Sequence, residues 1–176
     1  NKHAVCCGQP NNNQMTIEER YQGACDTPSD VNLLIPVLRK YGERCEHITE
    51  FGVRDGVSTS AWLAARPKKL VCYDINYYPS LVQIENLALE AGMEFRFHRE
   101  NTAESMIETT DLLFIDTVHN AFQLTPELDF NNIKVGKFII LHDTDTYGIK
   151  GELDAPGLWR CLIPFLAKES HNWKIL

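Results

Sequence analysis

The chain has 176 residues, of which 44% are hydrophobic and 23% charged, and its formal net charge is -7 at pH 7. That length suits one domain with its own core. The acidic balance argues against a nucleic-acid partner, since the only basic groups are short ones such as Arg39-Lys40 and Lys68-Lys69. No apolar run reaches the roughly 18 residues of a membrane span, and residues 1–14 lack the basic-then-apolar layout of a secretory signal.

Residues 1–26 read as a flexible N-terminal arm and 27–176 as the folded domain. The six cysteines form no C-x-x-C pair. Cys72 and Cys161 lie in apolar patterns and read as small core residues, while Cys6 and Cys7 sit in the polar arm. This usage predicts a reducing, cytoplasmic setting.

Thr27-Pro28-Ser29-Asp30 reads as a helix start, with Thr27 as cap and Pro28 in the first turn. Val31, Leu34, Ile35 and Leu38 then make one apolar face, which Pro36 should kink and Gly42 should end. Strands are predicted over 47–51, 70–73, 94–98, 112–115 and 138–141. Helices are predicted over 58–65, 80–91, 103–108, 123–130 and 158–168, with a last strand at 173–176. Alternating strands and helices imply a mostly parallel central sheet with helices on both faces, an α/β architecture of Rossmann-like type. The unbroken apolar runs Leu112–Ile115 and Phe138–Leu141 fit strands buried on both sides.

In such sheets ligands bind outside the carboxyl ends of the strands. The first strand ends in Glu50-Phe51-Gly52-Val53-Arg54-Asp55-Gly56-Val57-Ser58. Gly52 permits a sharp turn and a close backbone approach, and Gly56 precedes a helix whose free N–H groups suit an anion. Arg54 stands where a dinucleotide fingerprint needs its second glycine, so a carboxylate ligand fits this loop better than a pyrophosphate. The alternative is an ordinary strand-to-helix turn. The second strand ends in Asp74, placed to accept ribose hydroxyls, or otherwise a surface acid. After the third strand, Asn101 either caps a helix or faces an adenine edge. The fourth and fifth strands end in Asp116, with His119 behind it, and in His142-Asp143. These four groups could hold a divalent cation through Asp116, His142 and Asp143, or supply His119, His142 and Asp143 for acid–base work. Residues 147–157, with three glycines, read as a lid or a plain connection.

At these positions the chain resembles the class I S-adenosylmethionine-dependent methyltransferases, in the branch of cephalosporin-hydroxylase-like and sugar O-methyltransferase-like proteins. The motifs that carry the resemblance are ITEFGVRDGVSTSAWL, DLLFIDTVHNAFQL and KFIILHDTDTYG, and it extends from about Thr27 to Trp173. It implies a methyltransferase fold and S-adenosyl-L-methionine as cofactor, with a small-molecule or glycan acceptor methylated on oxygen. It implies Glu50 and Gly52 beside the methionine part, with Gly56 and Ser58 in the same loop, Asp74 on the ribose and Asn101 near the adenine. Asp116 and Asp143 match positions where metal-dependent relatives hold a divalent ion such as Mg²⁺. Those relatives carry an acid–acid or acid–amide pair where this chain has His142-Asp143. Two competing readings are a cofactor-binding protein without turnover and a nicotinamide-dependent oxidoreductase. A homo-oligomer is left open.

Overall fold

The computed structural model describes residues 15–168 and 173–175. Five strands build its centre: β1 (His47–Phe51), β2 (Lys69–Asp74), β3 (Glu94–Arg99), β4 (Thr110–Ile115) and β5 (Val135–Leu141). Every neighbouring pair is parallel and the order is β3-β2-β1-β4-β5. Strand order reverses at the seam between β1 and β4, the place where open α/β sheets form a crevice.

Alternation along the strands sorts the core into two layers. Ile48, Leu70, Cys72, Leu112 and Phe114 face α1 (Ile17–Asp26), α2 (Ile35–Gly42), α3 (Val57–Ala65) and α4 (Ser80–Glu90). Phe51, Val71, Tyr73, Leu113 and Ile115 face α5 (Ala121–Asn131) and α6 (Trp159–Ala167). Helices thus cover both faces, as the alternating pattern predicts. Among the described residues no helix is long and apolar enough to cross a membrane.

Six local expectations are corrected. The arm expected through residue 26 is helix α1 from Ile17 onward, with Ile17 in the core; residues 1–14 lie outside the described part. A reciprocal cap starts this helix: the Glu19 N–H donates to Thr16 Oγ1 at 3.1 Å, and the Thr16 N–H donates to Glu19 Oε2 at 2.8 Å. Thr27 closes α1 rather than opening a helix, and Pro36 lies in the first turn of α2, where its missing N–H costs nothing and no kink results.

Residues 103–108 form no helix. A turn at 102–104 leads into extended chain, because side chains satisfy its backbone instead. The Ile107 N–H donates to Asn131 Oδ1 at 2.9 Å, and Asn131 Nδ2 donates to the Ser105 carbonyl at 3.2 Å. Phe138–Leu141 of β5 are only half-buried, because β5 is the edge of the sheet. Residues 173–175 are not a strand, although Trp173 packs into the α5–α6 layer, and Leu176 lies outside the described residues.

The Thr16–Glu19 box is the start signal for α1, so Thr16→Ala should destabilise the fold by about 1 kcal/mol. Urea unfolding should show a lower midpoint at unchanged slope; an unchanged midpoint would mean that tertiary contacts alone set this helix.

Candidate active site

The loop after β1 is shaped by close approaches. Gly52 has φ +84°, and a β-carbon there would collide with the Asp116 carbonyl at the end of β4. The Gly52 N–H donates to the Tyr73 carbonyl at 2.9 Å and the Asp116 N–H to the Phe51 carbonyl at 2.9 Å, so the ends of β2, β1 and β4 are stitched side by side. Gly56 (φ +75°) opens α3, and a β-carbon on it would strike Ile84 and the Arg20 guanidinium. Arg54 also takes a left-handed backbone, φ +48°.

Asp74 closes on this loop directly. Its Oδ2 accepts the N–H groups of Val53 at 2.9 Å and Arg54 at 3.0 Å, and its Oδ1 accepts that of Asn76 at 2.9 Å. A carboxylate oxygen can accept two hydrogen bonds, so Oδ1 retains one open position. Only 7% of the residue is exposed.

Glu50 and Ser58 sit beneath the loop and not in the crevice. Glu50 is fully buried against α3, where its two oxygens accept from Ser58 Oγ (2.6 Å), Thr59 Oγ1 (2.7 Å), Trp62 Nε1 (3.1 Å) and Cys72 Sγ (3.4 Å). Burial pushes the Glu50 carboxyl up to about 7, against the pull of those four donors. The same burial, with the Glu50 charge beside it, raises the Cys72 thiol. Asn101 is exposed: its Oδ1 accepts the Ala103 N–H at 3.2 Å and its Nδ2 donates to Glu104 at 3.0 Å, so it caps the turn after β3.

Two further residues shape this edge and carry no local sequence signal. Arg20 of α1 donates to the carbonyls of Asp55 (3.1 Å) and Gly56 (3.2 Å), bringing a cation to the entry of α3. Glu127 of α5 is fully buried; it accepts from Thr117 Oγ1 at 2.9 Å and Gln123 Nε2 at 2.8 Å, and from Thr102, tying the ends of β3 and β4 together. Their partners are scattered along the chain, which is why no motif announces them.

At the ends of β4 and β5 the predicted acid and imidazole groups converge. Asp116 Oδ1 lies 3.0 Å from His119 Nε2 and 3.2 Å from His142 Nδ1. Asp143 Oδ2 stands 3.5 Å from His142 Nδ1 and 3.8 Å from His119 Nε2. Glu152 Oε2 accepts the His119 backbone N–H at 2.9 Å and lies 3.6 Å from Nδ1. The Tyr147 ring stacks on His119 with centroids 4.9 Å apart. Burial pushes the Asp116 carboxyl up, but the hydrogen bonds and charges of His119 and His142 outweigh it and hold it at about 2.

Backbone hydrogen bonds tie the three-glycine segment to its surroundings. Tyr147 and Asp143, Gly157 and Ile149, Gly151 and Ala155, and Glu152 and His119 pair through backbone hydrogen bonds of 2.9–3.0 Å. It delivers Tyr147 and Glu152 to His119.

The structure thus brings Gly52, Asp74 and Asp116 to one seam and joins His119, His142 and Asp143 to Asp116. It sets Glu50 and Ser58 under the loop, with Gly56 at the helix entry and Asn101 out at the rim.

No protein-family model matches the chain, and no curated protein matches it. Among solved structures, the methyltransferase PaMTH1 of Podospora anserina, bound to S-adenosylhomocysteine, superposes with a TM-score of 0.54 at 16% identity, over 85% of this chain and 71% of that one. The O-methyltransferase TomG of Streptomyces achromogenes, in complex with S-adenosylmethionine, superposes with a TM-score of 0.43 at 18% identity, over 64% and 60%. The five-stranded all-parallel sheet with flanking helices is a Rossmann-like fold, the one this chain shares with PaMTH1.

Glu50 makes the stability depend on pH in a defined direction. Its folded-state value is raised from 4.5 to about 7, so its contribution is complete below 4.5 and is lost as pH rises through about 7. The slope in that window approaches about 1.4 kcal/mol per pH unit for this one group. Chemical unfolding from pH 4 to 8 should show wild-type stability falling relative to Glu50→Gln; parallel profiles would show that Glu50 stays ionised in the core.

Proposed function

We propose that the protein is an S-adenosylmethionine-dependent methyltransferase acting on a hydroxyl oxygen of a small molecule or glycan. The observation that carries this reading is the seam itself. Asp74, at the end of β2, holds the glycine loop after β1 in hydrogen-bonding contact, beside the cluster at the ends of β4 and β5. The fold's known member PaMTH1 carries S-adenosylhomocysteine, a ligand of the chemistry this seam suits.

The Gly52–Gly56 loop and the N-terminus of α3 receive the amino-acid end of the cofactor. Arg20 adds positive charge near its carboxylate. The open position on Asp74 Oδ1 takes a ribose hydroxyl, and Asn101 lies on the adenine side. Glu50 and Ser58 position the loop from beneath. When bound, the cofactor would supply an electrophilic methyl group on a sulfonium, the S–C electron pair being left on sulfur as the acceptor oxygen takes the methyl. The protein's part is to align the acceptor in line with that bond and to deal with the hydroxyl proton. The cluster of Asp116, His119, His142 and Asp143 does the second, as a base through an imidazole or by holding a divalent cation that makes the hydroxyl more acidic. Carboxylate and imidazole donors fit such a cation.

Calorimetry tests the first link. Wild-type protein should bind S-adenosylmethionine and S-adenosylhomocysteine, and Asp74→Ala should weaken both by at least tenfold, about 1.4 kcal/mol. No binding to wild type, or equal binding to the variant, overturns the reading. Methyl transfer from labelled cofactor to a panel of phenols, catechols and sugars tests the second link, where binding without transfer to any acceptor would leave a binding protein.

A further inference from the structure

We propose that His119 joins Asp116 and His142 as a ligand to a first-row transition-metal dication, with Asp143 beside them, and that this nitrogen-containing set selects such a metal over Mg²⁺. The resemblance to metal-dependent methyltransferases points to oxygen donors, from carboxylates or an amide. The structure instead brings together one ligand atom from each of Asp116, His119 and His142, all within 4.8 Å of one another. Both imidazoles aim a ring nitrogen at the same Asp116 oxygen, His119 at 3.0 Å and His142 at 3.2 Å.

A second observation concerns the far side of the His119 ring. Ligating histidines are held by an acceptor on the nitrogen that does not face the metal. His119 Nδ1 is buried without a hydrogen bond, and Glu152 Oε2, pinned by the His119 backbone N–H, stands 3.6 Å from it. Tyr147 stacked at 4.9 Å fixes the plane of the His119 ring. A purely structural Asp–His contact needs only one imidazole. Two imidazoles converging on one oxygen, with a carboxylate 3.6 Å from the outward nitrogen of His119, is a layout that suits a metal ion.

Donor chemistry then chooses the ion. Imidazole suits Zn²⁺, Co²⁺, Ni²⁺ and Fe²⁺, whereas Mg²⁺ prefers an octahedron of oxygens and gives up its waters reluctantly. Two histidines and one carboxylate leave coordination positions open, and the cluster lies at the strand ends bordering the Asp74 seam. This inference deepens the proposed use of the cluster. Its test reads metal alone, so its failure and the failure of the methyltransferase reading are separate results.

Protein stripped with a chelator should be titrated with CoCl₂, ZnCl₂ and MgCl₂ by calorimetry and thermal shift. One equivalent of Co²⁺ and of Zn²⁺ should bind and raise the melting temperature, and Mg²⁺ should bind at least a hundredfold more weakly. Bound Co²⁺ should show visible d–d absorption without a thiolate charge-transfer band, which separates this site from Cys6 and Cys7. His119→Gln, which keeps a donor toward Asp116, should weaken Co²⁺ by at least tenfold, and Glu152→Gln should also weaken it, by roughly tenfold. Absence of stoichiometric Co²⁺ binding, equal affinity for Mg²⁺, or unchanged Co²⁺ binding in His119→Gln overturns the proposal. Should His119→Gln fail to fold, the wild-type comparison of Co²⁺ with Mg²⁺ decides it alone.

Discussion

Where β1 ends, its backbone runs so close to the Asp116 carbonyl that no β-carbon fits at Gly52. This contact sits at the seam between β1 and β4, and it sets the geometry on both sides. On one side the chain turns through Gly52 into a loop whose N–H groups at Val53 and Arg54 meet the Asp74 carboxylate. On the other, Asp116 leaves β4 with its side chain among His119, His142 and Asp143. A larger residue at Gly52 would push the β1 and β4 ends apart, and the loop and the cluster would lose their common reference. Backbone proximity thus couples two groups of side chains that do not touch.

Below that seam lie two buried carboxylates, Glu50 and Glu127, each fully enclosed and each given at least three donors. Burying a carboxyl is unfavourable unless its acceptors are filled. For both groups burial still pushes the proton affinity up. Their partners explain why such groups stand here. Glu50 fastens the first turn of α3, the helix entered through the Gly56 loop. Glu127 fastens Thr102 and Thr117, the residues that follow β3 and β4. Apolar substitutes would pack but would leave these hydroxyls without acceptors, so the two carboxylates hold the loops at the carboxyl edge in one arrangement.

The fold was legible because strong local signals agree. Runs such as Leu112–Ile115 and the glycine turn at Gly52 specify a strand and its exit without help from elsewhere. The errors fall where a local signal met a tertiary one. Thr16-Ile17-Glu18-Glu19 is a capping box in plain view, yet the polar residues before it made the region read as loose. Residues 103–108 have helical character, but Asn131 takes up the Ile107 N–H and holds the segment extended. The β5 run Phe138–Leu141 reads as doubly buried because apolarity does not reveal whether a strand has neighbours on one side or two. Glu50 shows the deeper limit. Its place in the motif marks it as important, but which face of β1 it occupies depends on register, and register put it under α3 with Cys72 beside it.

Charge at the β4–β5 end narrows what the cluster can be. Three carboxylates, from Asp116, Asp143 and Glu152, surround two imidazoles within 4 Å. With both imidazoles neutral, the formal sum is three negative charges in a half-buried space, an unfavourable load. Protonating both reduces it to one. Leaving both neutral and adding a dication also reduces it to one. Net charge therefore does not distinguish a doubly protonated pair from a metal site. Direction is what the metal proposal rests on: both rings aim a nitrogen at one Asp116 oxygen, at 3.0 and 3.2 Å, whose two lone pairs accept both while the rings carry protons there. Rings that converge on one oxygen, with Glu152 on the outward side of His119, leave their lone pairs facing a common region once the protons are gone.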